Sequence, residues 1–182
     1  MNPPKPLEIM VACAENRAMG LQGRHPWPRI HEDMRIFHEQ TAGKLIILGR
    51  ICFETWPRAA LDGRRPIVVT RRKELERGEV RVTPSLGEAL ALADSLPGPA
   101  CVTGGERIFR EILDSTRPLT LHLTLIHAGI PGDRFFPEWR DQPWTETYRR
   151  ESSDEHFRFT FFTLERAGRA PEPPPRTSPP RP

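Results

Sequence analysis

Short runs of Ile, Val and Leu alternate along this chain with segments of helical periodicity, and that alternation points to an α/β fold built on a mainly parallel sheet. The spacing predicts strands over residues 8–13, 44–48, 65–70, 80–82, 100–103 and 120–126. Helices fit between them at 31–40, 51–56, 85–95 and 106–113. Two further strands, 144–151 and 157–165, are expected to close the fold as an antiparallel pair. The runs are too brief for core helices, and their continuous apolar character suits strands covered on both faces.

With 182 residues, 37% of them hydrophobic, the chain can fill one core of ordinary size. A single domain is expected over residues 7–166, after a flexible N-terminal segment at 1–6. From Ala167 the composition turns to Pro, Arg and Ser, which neither packs a core nor donates to a sheet ladder, so 167–182 is expected to be a disordered tail. No apolar run is long enough to span a bilayer, and the N-terminus lacks the apolar stretch of a signal peptide, so a cytoplasmic protein with no membrane partner is expected. Cys13, Cys52 and Cys101 show no metal-ligand spacing and read as packed, reduced thiols, with no metal site. The net charge of +3 comes from arginines spread among Glu and Asp, which speaks for a small polyanionic ligand rather than nucleic acid.

One carboxylate lies on the wrong side of its helix. After Pro26-Trp27-Pro28, residues Ile30, Met34, Phe37 and Thr41 form an apolar stripe, and Asp33 falls on it while Glu32 points to solvent. A carboxylate aimed at a core is costly without donors, which either the protein or a ligand must supply. An Asp in the first turn also pairs with the positive end of the helix dipole, a purely structural use.

Two strand-to-helix junctions carry glycine, at Leu48-Gly49-Arg50 and Thr103-Gly104-Gly105. Helix N-termini offer free N–H groups, and glycine lets a phosphate approach the backbone, so the two together could hold a diphosphate. Neither is the Gly-x-Gly-x-x-Gly fingerprint. Arg50, Arg71, Arg72 and Arg107 follow strand ends, where α/β sheets bind ligands and where guanidinium groups grip phosphate. The segment 15–27, with Gly20, Gly23 and Trp27, is long enough to serve as a lid or to be a plain surface loop.

These pieces together resemble dihydrofolate reductase. Val11-Ala12, Asn16-Arg17-Ala18-Met19-Gly20, Pro26-Trp27, Asp33 with Phe37 and Thr41, Leu48-Gly49-Arg50, Gly63-Arg64, Gly104-Gly105, Gly132-Asp133 and Phe136-Pro137 stand in that family's order, from about residue 7 to 165. The resemblance implies a twisted, mainly parallel eight-stranded sheet flanked by helices, and an enzyme reducing 7,8-dihydrofolate to tetrahydrofolate with NADPH for one-carbon and thymidylate metabolism. It implies a monomer that binds dihydrofolate and antifolates such as methotrexate or trimethoprim. Asp33, Trp27 and Thr124 would be the catalytic set, with Thr124 on the polar side of the 120–126 strand. Substrate would meet Val11, Ala12, Asp33, Met34, Phe37, Arg64, Thr103 and Thr124, with Arg64 clamping the α-carboxylate of the glutamate tail. NADPH would meet Ala12, Met19, Gly20, Gly49, Arg50, Cys52, Thr70, Arg71, Gly104, Gly105, Glu106, Arg107 and Ile108, with Arg50 and Arg71 on the 2′-phosphate. The glycine pair would be joined by a cis peptide, and Asp133 would brace the lid.

Departures from the family pattern are visible too. His25 takes a lid position usually given to Leu or Met, Cys52 stands for a common Thr, Thr103 for an aliphatic residue and Phe109 for Tyr. A pterin or pyrimidine reductase of related fold would lack the carboxylate-bearing helix after Pro-Trp; a regulatory module would keep the nucleotide site without turnover.

Overall fold

The structure, a computed structural model, describes residues 5–168. Its strands are β1 (Leu7–Ala14), β2 (Ala18–Gly20), β3 (Leu45–Gly49), β4 (Arg65–Val69), β5 (Arg81–Thr83), β6 (Ala100–Gly104), β7 (Leu119–Ile126), β8 (Arg134–Phe135), β9 (Thr145–Ser153) and β10 (Arg158–Arg166). Its α-helices are α1 (His31–Thr41), α2 (Arg50–Thr55), α3 (Leu86–Ser95) and α4 (Glu106–Leu113). Every strand and helix expected from periodicity is present, with ends moved by a residue or two. Ser85 illustrates why: it is the N-cap of α3, its hydroxyl accepting the Glu88 N–H at 3.2 Å, rather than a helical residue.

Eight strands form one sheet in the order β5-β4-β3-β6-β1-β7-β10-β9. The first six in that order run parallel, and β10 turns antiparallel to both β7 and β9. Odd and even positions of the central strands are both buried, as a parallel sheet covered on two faces requires. Ile9, Val11 and Cys13 pack with Ile47, Ile67 and the inner residues of α3 and α4. Met10, Ile46, Leu48 and Val68 pack on the other face with Ile36 and Phe37 of α1 and Phe53 of α2. The helix leaving β1 therefore covers one face and the helix leaving β6 covers the opposite one.

That divergence opens a crevice. β1 and β6 pair only through Glu8↔Cys101 and Ile9↔Val102, whereas β1 continues beside β7 as far as Ala14↔Ile126. Past Ile9 the two neighbours part at their carboxyl ends, the place where open α/β sheets take ligands.

Two strands escaped the sequence pattern. β2 and β8 pair antiparallel as a separate ribbon, so the segment expected as a lid or loose loop is a built element. Leu21 and Arg24 exchange backbone hydrogen bonds at 2.8 and 3.1 Å across a tight turn in which Gln22 and Gly23 both have positive φ. Of the Pro-rich tail expected at 167–182, residues 169–182 lie outside the described residues, as do 1–4 of the N-terminal segment. Among the described residues no helix is long and apolar enough to cross a membrane.

Candidate active site

The crevice between β1 and β6 widens into a cleft of about 2090 Å³. Its floor is Val11 and Ala12 on one side and Thr103, Gly104 and Gly105 on the other. One wall is the inner edge of α1, with Asp33, Met34 and Phe37; α2 and the start of α4 frame the rest with Cys52, Glu106, Arg107 and Ile108.

Asp33 is the ionisable group at the centre. The apolar stripe of α1 is anchored by Ile30 and Thr41, both buried, and this rotation delivers Asp33 to the sheet face beside Thr124 of β7. The Thr124 hydroxyl donates to Asp33 Oδ1 at 2.6 Å, and Thr124 is held opposite Ala12 by the β1–β7 ladder. Part of the residue is open to the cleft, yet the protein packed around the carboxyl strips it of water. Desolvation by burial raises its pKa above the ordinary carboxylate value, with the Thr124 hydrogen bond and the charge of His25 pulling the other way. Oδ2 has no hydrogen-bond partner among the described residues.

Glu32, one residue earlier, departs from expectation. Instead of pointing to free solvent it accepts the Ser152 hydroxyl at 2.6 Å and pairs with Arg150 at 2.7 Å, tying α1 to β9. The Ser152 hydrogen bond, outweighing partial burial, and the Arg150 guanidinium lower its pKa. Two adjacent carboxylates are thereby pushed in opposite directions, one toward chemistry and one toward fastening.

The opposite half of the cleft is shaped for a phosphorylated ligand. The Gly104–Gly105 peptide is cis, and Gly104 has φ 129°, a conformation that L side chains rarely adopt. A Cβ there would stand 3.3 Å from Cys52 Sγ and 3.5 Å from the Phe109 ring. The glycine turn and the Gly49 junction thus leave bare backbone at two helix starts. Arg50 is paired with Glu54 at 2.6 Å and Arg107 with Glu111 at 3.5 Å. Arg71, exposed at the rim after β4, has no carboxylate partner among the described residues. Glu106 is also committed, accepting the Phe135 N–H at 3.2 Å and pairing with Arg110.

The β2–β8 ribbon stands over this opening. Asn16 exchanges two hydrogen bonds with Ile130, at 2.8 and 3.3 Å. Asp133 accepts the Gln22 N–H at 3.0 Å, and its own N–H reaches the Gly20 carbonyl at 2.9 Å, so it ties down the turn after β2. Trp27, 8% exposed, packs behind the lid with Ala18, Ile30, Ile126 and Phe159, and His25 stacks on it at 5.5 Å. Gly132 is in van der Waals contact with the ribbon: a Cβ there would lie 2.9 Å from both Ala18 Cβ and the Gly20 carbonyl oxygen. Gly132→Ala is therefore expected to cost about 1–3 kcal/mol of stability by overpacking, read as a lower urea midpoint at unchanged m-value.

The family model for dihydrofolate reductase matches residues 6–166 of this chain. The chain belongs to the dihydrofolate reductase family. It is 35% identical over 147 residues to the dihydrofolate reductase of Neisseria gonorrhoeae, spanning 80% of this chain and 87% of that one. A dihydrofolate reductase called HdrB from Haloferax volcanii is 32% identical, over 87% of this chain and 82% of its own. Among solved structures, the Enterococcus faecalis dihydrofolate reductase complexed with NADP(H) and RAB-propyl matches with a TM-score of 0.75 and 30% identity, covering 87% of this chain and 94% of that one.

Nineteen residues expected from the dihydrofolate reductase pattern line the one cleft: Val11, Ala12, Met19, Gly20, Asp33, Met34, Phe37, Gly49, Arg50, Cys52, Thr70, Arg71, Thr103, Gly104, Gly105, Glu106, Arg107, Ile108 and Thr124. Trp27 and Arg64 do not; both stand behind its wall. Arg64 is 1% exposed, and all of its N–H groups have acceptors within the protein. It does bond Asp62, as a surface partner would, but from a buried position.

Sequence reasoning missed Trp56, which lines the cleft between Phe37, 5.0 Å away, and the Arg64 guanidinium, 5.2 Å from its ring. Its place at the end of α2, one residue before Pro57, carried the only signal. Of the family departures, Phe109 packs edge-on against Phe136, and Thr103 leaves a buried hydroxyl without a partner among the described residues. Cys13 and Cys101 are buried thiols pushed up to about 12 by desolvation, while half-buried Cys52 sits under the glycine turn.

Proposed function

We propose that the Asp33 side of the cleft takes the pterin ring and that the glycine-framed side takes NADPH. The reaction of this family member is reduction of 7,8-dihydrofolate to 5,6,7,8-tetrahydrofolate. NADPH supplies the hydride; the protein supplies position and electrostatics. The observation that carries the assignment is a desolvated carboxylate, fixed by Thr124 of β7 at 2.6 Å, on the wall of the cleft that opens past the β1–β6 pairing.

Asp33 Oδ2 accepts from the 2-amino group and neighbouring ring N–H of the pterin, which supply the donors that a buried carboxylate needs. Its elevated proton affinity makes it a polarising group for the ring rather than a distant counter-ion. Ala12 and Thr103 separate the two ligands, and Phe37 and Met34 cover the pterin. Trp27, anchored behind the lid, acts by holding the ribbon rather than by touching substrate. Arg71, with no carboxylate partner among the described residues, takes the 2′-phosphate, with Arg50 and Thr70 beside it, while Gly49, Gly104 and Gly105 admit the diphosphate to bare N–H groups. Methotrexate and trimethoprim, which carry pteridine- or pyrimidine-like amines, take the Asp33 site.

Residues 7–166 are inferred to be one catalytic domain, and the cytoplasm its place of work. The deciding experiment follows absorbance at 340 nm with purified protein and NADPH, with and without 7,8-dihydrofolate, before and after methotrexate. Dihydrofolate-dependent, methotrexate-blocked decay is expected. Binding of NADPH without such decay would overturn the assignment.

A further inference from the structure

Arg64 already holds a carboxylate. Nε donates to Thr41 Oγ1 at 2.8 Å; Nη1 donates to the Leu61 carbonyl at 2.9 Å and to Asp62 Oδ2 at 2.8 Å; Nη2 donates to the His38 carbonyl at 2.9 Å and lies 3.3 Å from His38 Nδ1. A guanidinium has five N–H bonds, so none is spare. Any incoming anion must displace an acceptor.

The other acceptors, which include the Arg58 carbonyl at 3.5 Å, belong to α1 and to the turn before β4. Asp62 differs in three ways: it is the sole anion among them, its side chain is 44% exposed, and its backbone has φ 56°, the left-handed region that costs a non-glycine residue strain. Its Oδ2 also stands 3.6 Å from the exposed guanidinium of Arg58. A carboxylate oxygen shared by two guanidinium groups, one of them 5.2 Å from the ring of the cleft-lining Trp56, is the arrangement expected of a bound substrate tail.

We propose that Asp62 is an internal competitor for the substrate's α-carboxylate, occupying on Arg64 the position that the glutamate tail must take. This rests on the reading of Arg64 as the tail's partner. Binding of dihydrofolate then exchanges one carboxylate for another, so Asp62 sets the affinity for the tail while leaving the hydride step untouched.

The test is steady-state kinetics of wild type and Asp62→Asn with 7,8-dihydrofolate and with 6-methyl-7,8-dihydropterin, which has no tail. Asn tolerates positive φ and keeps a weaker, neutral acceptor. The KM for dihydrofolate is expected to fall by about threefold or more, because a charge-assisted bond is replaced by a neutral one, with kcat unchanged. The KM for the tail-free substrate should not move. Asp62→Gly, which removes the acceptor and the strain together, should shift the dihydrofolate KM in the same direction. An unchanged or higher KM for dihydrofolate, or equal shifts with both substrates, overturns the proposal and makes Asp62 an orienting partner of Arg64. Comparison of folate with pteroate on the wild type separates the two layers. Equal affinities would remove Arg64 from tail recognition and the competitor with it; tighter folate binding with no gain in Asp62→Asn would remove the competitor alone.

Discussion

Asp33→Asn is expected to lose about a hundredfold or more of turnover near neutral pH, the range typical for removing a positioned acid-base group. The amide keeps the size of the side chain and an oxygen to accept the Thr124 hydroxyl, so the fold should persist. What disappears is the negative charge that polarises the ring. The same substitution is expected to raise thermal stability near neutral pH. Burial lifts the pKa of Asp33, so the folded protein holds this proton more tightly than the unfolded chain and bears a penalty once the group ionises. The stability gap between variant and wild type is therefore widest above the raised pKa. It closes as pH falls through that value toward the ordinary carboxylate range, where both states are protonated. Thermal melts across that interval check the sign; a variant that melts lower at neutral pH would show that the carboxylate stabilises the fold instead.

The second large effect is on cofactor choice. Arg71→Ala should raise the KM for NADPH by about tenfold or more, the worth of one charge-assisted contact, and leave the KM for NADH nearly unchanged. Arg71 is suited to this because its neighbours in the role are engaged: Arg50 with Glu54 and Arg107 with Glu111. Arg71 is exposed, so truncating it removes charge without opening a core cavity. Parallel assays with the two cofactors decide the matter. Equal changes for both would mean that Arg71 acts through the loop after β4 and not through the phosphate.

Asp33 was legible in the sequence because a 3.6-residue period is enough to place a side chain on a helix face. A period of two put Thr124 on the polar side of its strand with Thr120 and His122, and only the family resemblance singled it out from those two. The glycine junctions were legible only as candidates, since glycine at a tight turn has an ordinary structural use, and the family resemblance is what pointed them toward a ligand. The features that stayed hidden all depend on distant pairing. β2 and β8 have three and two residues, too few for any period to register, and more than a hundred residues of chain separate them. Glu32 looked solvated because its partner Arg150 lies 118 residues further along the chain. The arginine before β4 carried a legible motif, Gly63-Arg64, but nothing in that motif discloses that Thr41, His38 and Asp62 would surround the guanidinium.

The fastening of α1 by β9 has a bearing on how such a chain is made. Ribosomes release the helix bearing Asp33 early, its hydroxyl partner at Thr124 much later, and the Arg150 and Ser152 that grip Glu32 near the end of the described chain. A nascent polypeptide stopped before β9 would still hold α1 through Thr124 and Arg64 but would lack the clasp on Glu32. The last strands thus complete both the fastening of α1 and one side of the cleft, through Phe161, Phe162 and Thr163.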